Sequence, residues 1–396
     1  MFKKISGKSF PQHSPRFLLL LGSIFILLQT MRPITARAQQ AVSHIGTISS
    51  YQTTGFVQSA YPDIDRLPSG RLVCVFSCND TTKPSKWKIA VCVSDDNGLT
   101  WSKPEIIFNH PNAIDGDPNL LVDGKRIFAF STTVPHLRHR IDSTTIFFRI
   151  SYDGVNWSEE KQLKKSHRYV CGKIHRGYRL KDGTLILGYS WDTWTDQHMF
   201  PATEGEMNLK SGVLRSRDGG KTWKPGGNIY ADVKKTSPSA TNGLAEPAYA
   251  MLADGSILAL LRAGGDKLYE TWSSNGGLSW EVPRLSHLTA HNSPAALWRL
   301  DNSPEILVAW DDSPTGRDPL AVALSSNGGK TWSNPRVIVN TGGPQASYPS
   351  VIQAKDGTMI VVWQQDLDKG SMWRQDMGKE REIRIARFNR AWLLKN

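Results

Sequence analysis

The chain has 396 residues, with 48 Lys and Arg against 36 Asp and Glu and a formal charge of +12. At 39% hydrophobic and 21% charged, with only four cysteines, it is excluded from the disordered, collagenous, coiled-coil, disulfide-scaffold and multi-span membrane classes. Six basic and no acidic residues fall in the first 38 positions, so the remainder carries +6 and gives little support to polyanion binding.

Lys3, Lys4 and Lys8 precede an apolar stretch at residues 17–28, and Ala36-Arg37-Ala38 then supplies the small-x-small pattern of a signal-peptidase site. That stretch makes about 18 Å of helix, short of the roughly 20 residues that span a bilayer. The expectation is a signal peptide at residues 1–38, removed on export. A secreted or periplasmic protein of residues 39–396, with no membrane span, would remain. Cys74 and Cys92 lie on consecutive predicted strands, equidistant from the turn between them. They are expected to be unpaired core residues, and no bridge is assigned to Cys78 or Cys171.

Internal repeats carry the strongest signal. Ser94-Asp95-Asp96-Asn97-Gly98-Leu99-Thr100-Trp101 recurs from Ser216, Ser273 and Ser325, with a shortened copy from Ser151; successive starts are 57, 65, 57 and 52 residues apart. Asp or Asn with Gly makes a tight turn, and the Trp that follows buries a large ring. A second repeat interleaves with the first: an apolar strand usually led by Pro, a Gly-containing turn, and another apolar strand. Its copies run from Tyr61-Pro62, Asp117-Pro118, Lys173-Ile174-His175, Glu246-Pro247, Ser293-Pro294 and Tyr348-Pro349. Six copies predict an all-β, six-bladed β-propeller filling residues 39–396. Residues 381–389 give a third strand of the last blade, and residues 45–51 close the ring as its fourth. An aromatic and polar insertion at residues 191–210 reads as a lid or specificity wall.

In a propeller the first strand of each blade lines the central channel. The residue before each strand-opening Pro therefore faces a shared pocket, which collects Tyr61, Asp117, Lys173, His175, Glu246, Ser293 and Tyr348. The inner ends of the second strands add Asp80, Asp192, Arg262 and Asp311-Asp312, with Arg317 close behind.

The Ser-x-Asp-x-Gly-x-Thr-Trp repeats resemble the Asp boxes (BNR repeats) of the sialidase, or neuraminidase, superfamily of secreted glycoside hydrolases. Three further segments are similar to family segments. Gly243-Leu244-Ala245-Glu246, before the hairpin ending at Arg262, resembles the one carrying a catalytic Glu and a carboxylate-binding Arg. Gly316-Arg317-Asp318-Pro319-Leu320 resembles the one carrying another such Arg, and Ser347-Tyr348-Pro349-Ser350 the one carrying a Tyr nucleophile. The resemblance implies a retaining exo-glycosidase that removes terminal sialic acid, or a related acidic sugar, from glycans. Tyr348 would be the nucleophile, Glu246 its base, and Arg262 and Arg317 a clamp for the sugar carboxylate. An Asp would protonate the leaving oxygen; Asp80 is the nearest candidate, with Asp63 and Asp117 as rivals.

The family's first blade opens with an Arg that this chain lacks, since the corresponding stretch reads Tyr61-Pro62-Asp63-Ile64-Asp65. Lys173, His175 or Arg176 would then supply charge from the third blade. Each residue also has a structural reading: Tyr348 as channel wall, Glu246 paired to Arg262, Arg317 bracing Asp311-Asp312, Asp80 in a solvated turn. Asp192, Asp196 and His198 lack metal-ligand spacing, and the basic residues are scattered. No metal, cofactor or nucleic-acid partner is therefore implied. The alternatives are a non-catalytic glycan-binding propeller and a glycosidase or lyase for a different sugar.

Overall fold

The computed structural model describes residues 44–80, 87–135, 144–164, 167, 170, 176–198, 206–367 and 380–395. The signal-peptide expectation and the positions of Cys171, Lys173 and His175 lie outside them.

The described chain is almost wholly antiparallel β-structure in a propeller arrangement. Four sheets stand as separate blades rather than the six expected: residues 113–163, 178–229 (with Asn242–Gly243 added at one edge), 245–289 and 296–339. The other strands form one eight-stranded sheet. Its path runs through Ala346–Gln353, Met359–Asp366 and Arg381–Phe388, crosses to Gln58–Arg66, and ends at Leu72–Asn79, Lys88–Ser94 and Glu105–Phe108. A single parallel pair, Gln58 with Arg381, makes the crossing and is why two expected blades merge. The strand His44–Ser49 pairs antiparallel with Arg381–Phe388, the place expected for the closing fourth strand.

The second strands Leu72–Asn79, Leu185–Asp192 and Met359–Asp366 are buried at every position. Both faces of these sheets are therefore packed, as stacking blade on blade requires. Six apolar clusters join neighbouring faces among the described residues. Val73 and Val75 meet Ile127 and Ala129, for example, and Leu307 and Val322 meet Val361 and Trp363. One cluster sets Cys74 and Phe76 against Ile360 and Val362, so the two halves of the eight-stranded sheet also pack face to face. Cys74 and Cys92 are register partners; Cys78 and Cys92 carry free thiols, and burial pushes the Cys92 thiol up to about 12.

Each Asp box forms the turn its residues dictate. In the first, Asp96 accepts from the amides of Leu99 (3.0 Å) and Thr100 (2.9 Å), while Ser94 Oγ accepts from Gly98 N at 2.9 Å. Asp153, Asp218, Asn275 and Asn327 repeat the pattern, and the box Trp residues pack against the inter-blade clusters. At the centre, Arg176 donates to the carbonyls of Ile64 and Val351, lies 3.7 Å from Asp65 Oδ1 and stacks 4.1 Å over Trp298. Tyr178 Oη donates to Tyr249 O at 2.7 Å. Arg176 and Tyr178 thus tie strands from different sheets together across the axis.

Candidate active site

The residues before four of the strand-opening prolines share one backbone conformation. Tyr61, Asp117, Glu246 and Tyr348 all have positive φ, at 54°, 48°, 46° and 54°. Each lies where the strand register slips, between Ala60 and Asp63, Gly116 and Asn119, Ala245 and Ala248, and Ser347 and Ser350. Proline cannot donate to the ladder, so a bulge forms there, and the bulged residue turns out of the pleat. The left-handed region costs an L-residue about 1–2 kcal/mol, and strain repeated at four such places is a mark of a functional site.

These bulges bring distant side chains together. Tyr348 Oη lies 3.5 Å from Glu246 Oε1, and Arg262 Nη1 donates to both Glu246 Oε2 (2.7 Å) and Tyr348 Oη (3.2 Å). Arg262 ends the strand Ile257–Arg262 and pairs in register with Ala245, which sets its reach to Glu246. Burial opposes its charge, but Glu246 and Tyr348 outweigh that and hold the guanidinium above its ordinary value. Arg317 lies 5.0 Å over the Tyr348 ring, and its carbonyl accepts from Ala346 N at the start of the strand that carries Tyr348.

Asn292 joins the two arginines. Its Oδ1 accepts from Arg262 Nε at 2.8 Å and its main-chain carbonyl from Arg317 Nη2 at 2.6 Å. With φ 46° it is also left-handed, one position ahead of the Ser293 expected from the Pro spacing. Asp311, fully buried at the end of Ile306–Asp311, sits in the field of Arg317. Burial pushes its carboxyl up to about 7, an effect that Arg317 and the Ser293 hydroxyl partly offset.

On the other side of Tyr348 stands Tyr61, edge-on with ring centroids 4.8 Å apart. Burial first, then Tyr348, raises the Tyr61 phenol well above its ordinary value, while Arg381 and Arg317 pull it down and Asp117 adds to the rise. Asp117 and Arg381 therefore lie within electrostatic reach of the Tyr61 phenol. Arg381 opens its strand opposite Asp366, to which it is ion-paired at 3.0 Å. Sequence reasoning missed Arg381 and Asn292: a charged residue at a strand start reads as a solvated end, and Asn292 lies one place off the repeat.

The remaining candidates are each held by partners of their own. Asp63 is fully buried, with Oδ1 accepting from Ser350 Oγ (2.6 Å) and Oδ2 from Leu120 N (2.8 Å). It is a strut between first strands and presents no surface to a substrate. Arg176 is held at the axis by Ile64, Val351 and Asp65, so it does not replace the absent first-blade Arg. Asp80 follows Leu72–Asn79 and is ion-paired with Lys88 Nζ at 3.0 Å. Asp192 caps the helix Thr193–Gln197, accepting from Trp194 N and Thr195 N. Among the described residues, no group of three or more His, Cys, Asp or Glu is arranged to hold a metal ion.

The BNR repeat-like domain model matches residues 70–361, which holds all five Asp boxes in full and most of the site. This chain belongs to that family. Its fold is similar to that of solved sialidases, as the Asp boxes implied. The Hadza microbial sialidase Hz136 matches with TM-score 0.69 and 18% identity, over 87% of this chain and 67% of that one. A leech intramolecular trans-sialidase, solved with 2,7-anhydro-Neu5Ac, matches with TM-score 0.68 and 14% identity, over 89% and 71%. A Dyadobacter fermentans protein of unknown function matches with TM-score 0.67 and 18% identity, over 87% and 98%. No curated protein matches the chain. At these identities the solved neighbours establish the fold, and the chemistry has to be argued from the side chains.

Proposed function

We propose that this chain is an exported, retaining exo-glycosidase of sialidase type that acts on terminal sialic acid or a related acidic sugar. The observation that carries the reading is the Arg262–Glu246–Tyr348 contact set. The phenol proton faces a carboxylate and the phenol oxygen faces a cation, the arrangement that activating a phenol demands. Apo hydrogen bonds at such sites are commonly long, and 3.5 Å is within the range that tightens on substrate binding.

A sialic acid bears its carboxylate on the anomeric carbon, where an anionic nucleophile would be repelled. The neutral Tyr348 attacks that carbon as Glu246 takes its proton, and the bond to the leaving oxygen breaks as an acid protonates it. Water then releases the sugar from Tyr348, with net retention. Arg262 and Arg317, spaced by Asn292, grip the carboxylate, and Arg381 adds charge on the Tyr61 side where the first-blade Arg is absent. Asp80 is assigned as the acid. The propeller behind this site has six blades, two of them fused through the Gln58–Arg381 pair, which the six inter-blade clusters support. Residues 1–38 are the export signal.

The test is hydrolysis of a fluorogenic α-sialoside by residues 39–396, with Tyr348→Phe beside it. Release that vanishes in the folded variant is expected; equal rates would remove Tyr348 from the chemistry. The Asp80–Lys88 ion pair favours a second reading, glycan binding without turnover, because it engages the carboxyl that the acid step would need. Glycan binding by a wild-type protein that releases no sugar would select it.

A further inference from the structure

Glu246 sits in the left-handed region directly before Pro247, a combination its neighbours must impose. Two serines surround its main chain. Ser190 and Ser211 are register partners on adjacent strands, both fully buried, with their hydroxyl oxygens 2.8 Å apart. Glu246 N donates to Ser190 Oγ at 3.0 Å, and Ser211 Oγ donates to Leu244 O at 2.9 Å. One proton per hydroxyl permits a single ordering. Glu246 N–H donates to Ser190, Ser190 to Ser211, and Ser211 to the carbonyl two residues before Glu246.

The same two strands form the neck of the 191–210 insertion. Asp192, two residues past Ser190, accepts from Asn208 N at 3.0 Å and so ties the outgoing arm to the returning one. The returning arm pairs in parallel with Asn242–Gly243, and Leu244 N donates to Leu209 O at 3.1 Å. Gly243, at φ 85°, has no room for a side chain, because a Cβ there would lie 1.9 Å from Leu209 O. The segment leading into Glu246 is thus bonded to the insertion's neck and clasped by the two hydroxyls behind it.

We propose that Ser190 and Ser211 are positioning residues for Glu246: a hydroxyl clasp that holds its main chain in the bulge and sets its carboxylate against Tyr348. The proposal rests on Glu246 being the base. Without Ser190 Oγ the buried Glu246 amide loses its hydroxyl acceptor, so the peptide relaxes and the carboxylate swings away from the phenol. Ser131 is a matched control, a fully buried serine on the second strand of the preceding blade whose hydroxyl has no hydrogen-bond partner among the described residues.

The experiment compares Ser190→Ala, Ser211→Ala and Ser131→Ala by steady-state kinetics on the sialoside and by amide hydrogen exchange. Ser190→Ala and Ser211→Ala are expected to lower kcat about 10- to 100-fold, the scale of an ångström-level misplacement, with KM within about twofold because the arginines are untouched. Ser190→Thr restores the hydroxyl and most of the rate, and Ser131→Ala retains both constants. The peptide spanning residues 244–246 should exchange at least about tenfold faster in Ser190→Ala, while the other strands of that blade keep their protection. Unchanged kcat in Ser190→Ala, or an equal loss in Ser131→Ala, overturns the proposal. If the wild type releases no sugar, the sialidase reading fails separately. The exchange result still decides the clasp, and unaltered exchange at residues 244–246 ends it.

Discussion

Glu246 and Tyr348 stand 102 positions apart in the chain, share a left-handed backbone before proline, and place carboxylate and phenol 3.5 Å apart. Arg262 touches both through one nitrogen, so the three groups are positioned as a unit.

That unit predicts how Arg262 variants fail. Arg262→Lys keeps a charge but cannot reach Glu246, Tyr348 and Asn292 together, because an ammonium lacks the planar fork. A loss of at least about 100-fold in kcat/KM is expected on the sialoside, with little change in the urea midpoint. Arg262→Ala leaves the 4%-exposed Glu246 without its ion pair and should cost about 3–5 kcal/mol of stability as well. Kinetics and urea unfolding on the two variants separate these effects.

Asn292 separates side-chain support from backbone freedom. Asn292→Gly keeps easy access to φ 46° but removes the amide that bonds Arg262 Nε, while Asn292→Ala removes the amide and adds strain. Both should raise KM about tenfold, the worth of one charge-assisted hydrogen bond. Only Asn292→Ala should also lose about 1 kcal/mol of stability. Equal stability in the two variants would show that the left-handed conformation is not strained there.

Most of this site was legible in the sequence because proline and glycine announce backbone geometry. Tyr61, Asp117, Glu246 and Tyr348 precede prolines, and each is a bulged, left-handed residue. Arg381 was hidden because its place depends on one parallel pair across the seam, a contact with no local pattern. Asp63 misled for the opposite reason. Its neighbour Pro62 marks the bulge correctly, but the next side chain in a strand points the other way, into the wall shared with Ser350 and Leu120. The blade count also depended on that seam, which sequence periodicity does not register.

Arg176 offers a test of the fold without reference to chemistry. It is 5% exposed and holds carbonyls from two first strands, beside Asp65 and over Trp298. Arg176→Met should cost about 3–5 kcal/mol, because two carbonyls and the Asp65 carboxylate lose their partner. The urea midpoint measures this, and a change below about 1 kcal/mol would mean that the axis is held by packing alone.

Asp311 predicts an inverted pH dependence for a carboxylate. In the folded chain its carboxyl is raised to about 7 by burial, whereas in the unfolded chain it titrates near the ordinary value, about 3.9. The folded state therefore binds more protons between roughly pH 4 and 7, so this group's contribution is complete below pH 4 and is lost as pH rises through 7. The loss is about 1.4 kcal/mol per pH unit at its steepest. Asp311→Asn carries a neutral amide of the same shape at every pH. It should match the wild type near pH 4.5 and exceed it in stability at pH 8, as read from urea midpoints. If Arg317 instead holds Asp311 ionised across that range, the variant will be the less stable protein at pH 8, and the buried carboxylate is a partner of the clamp rather than a neutral acid behind it.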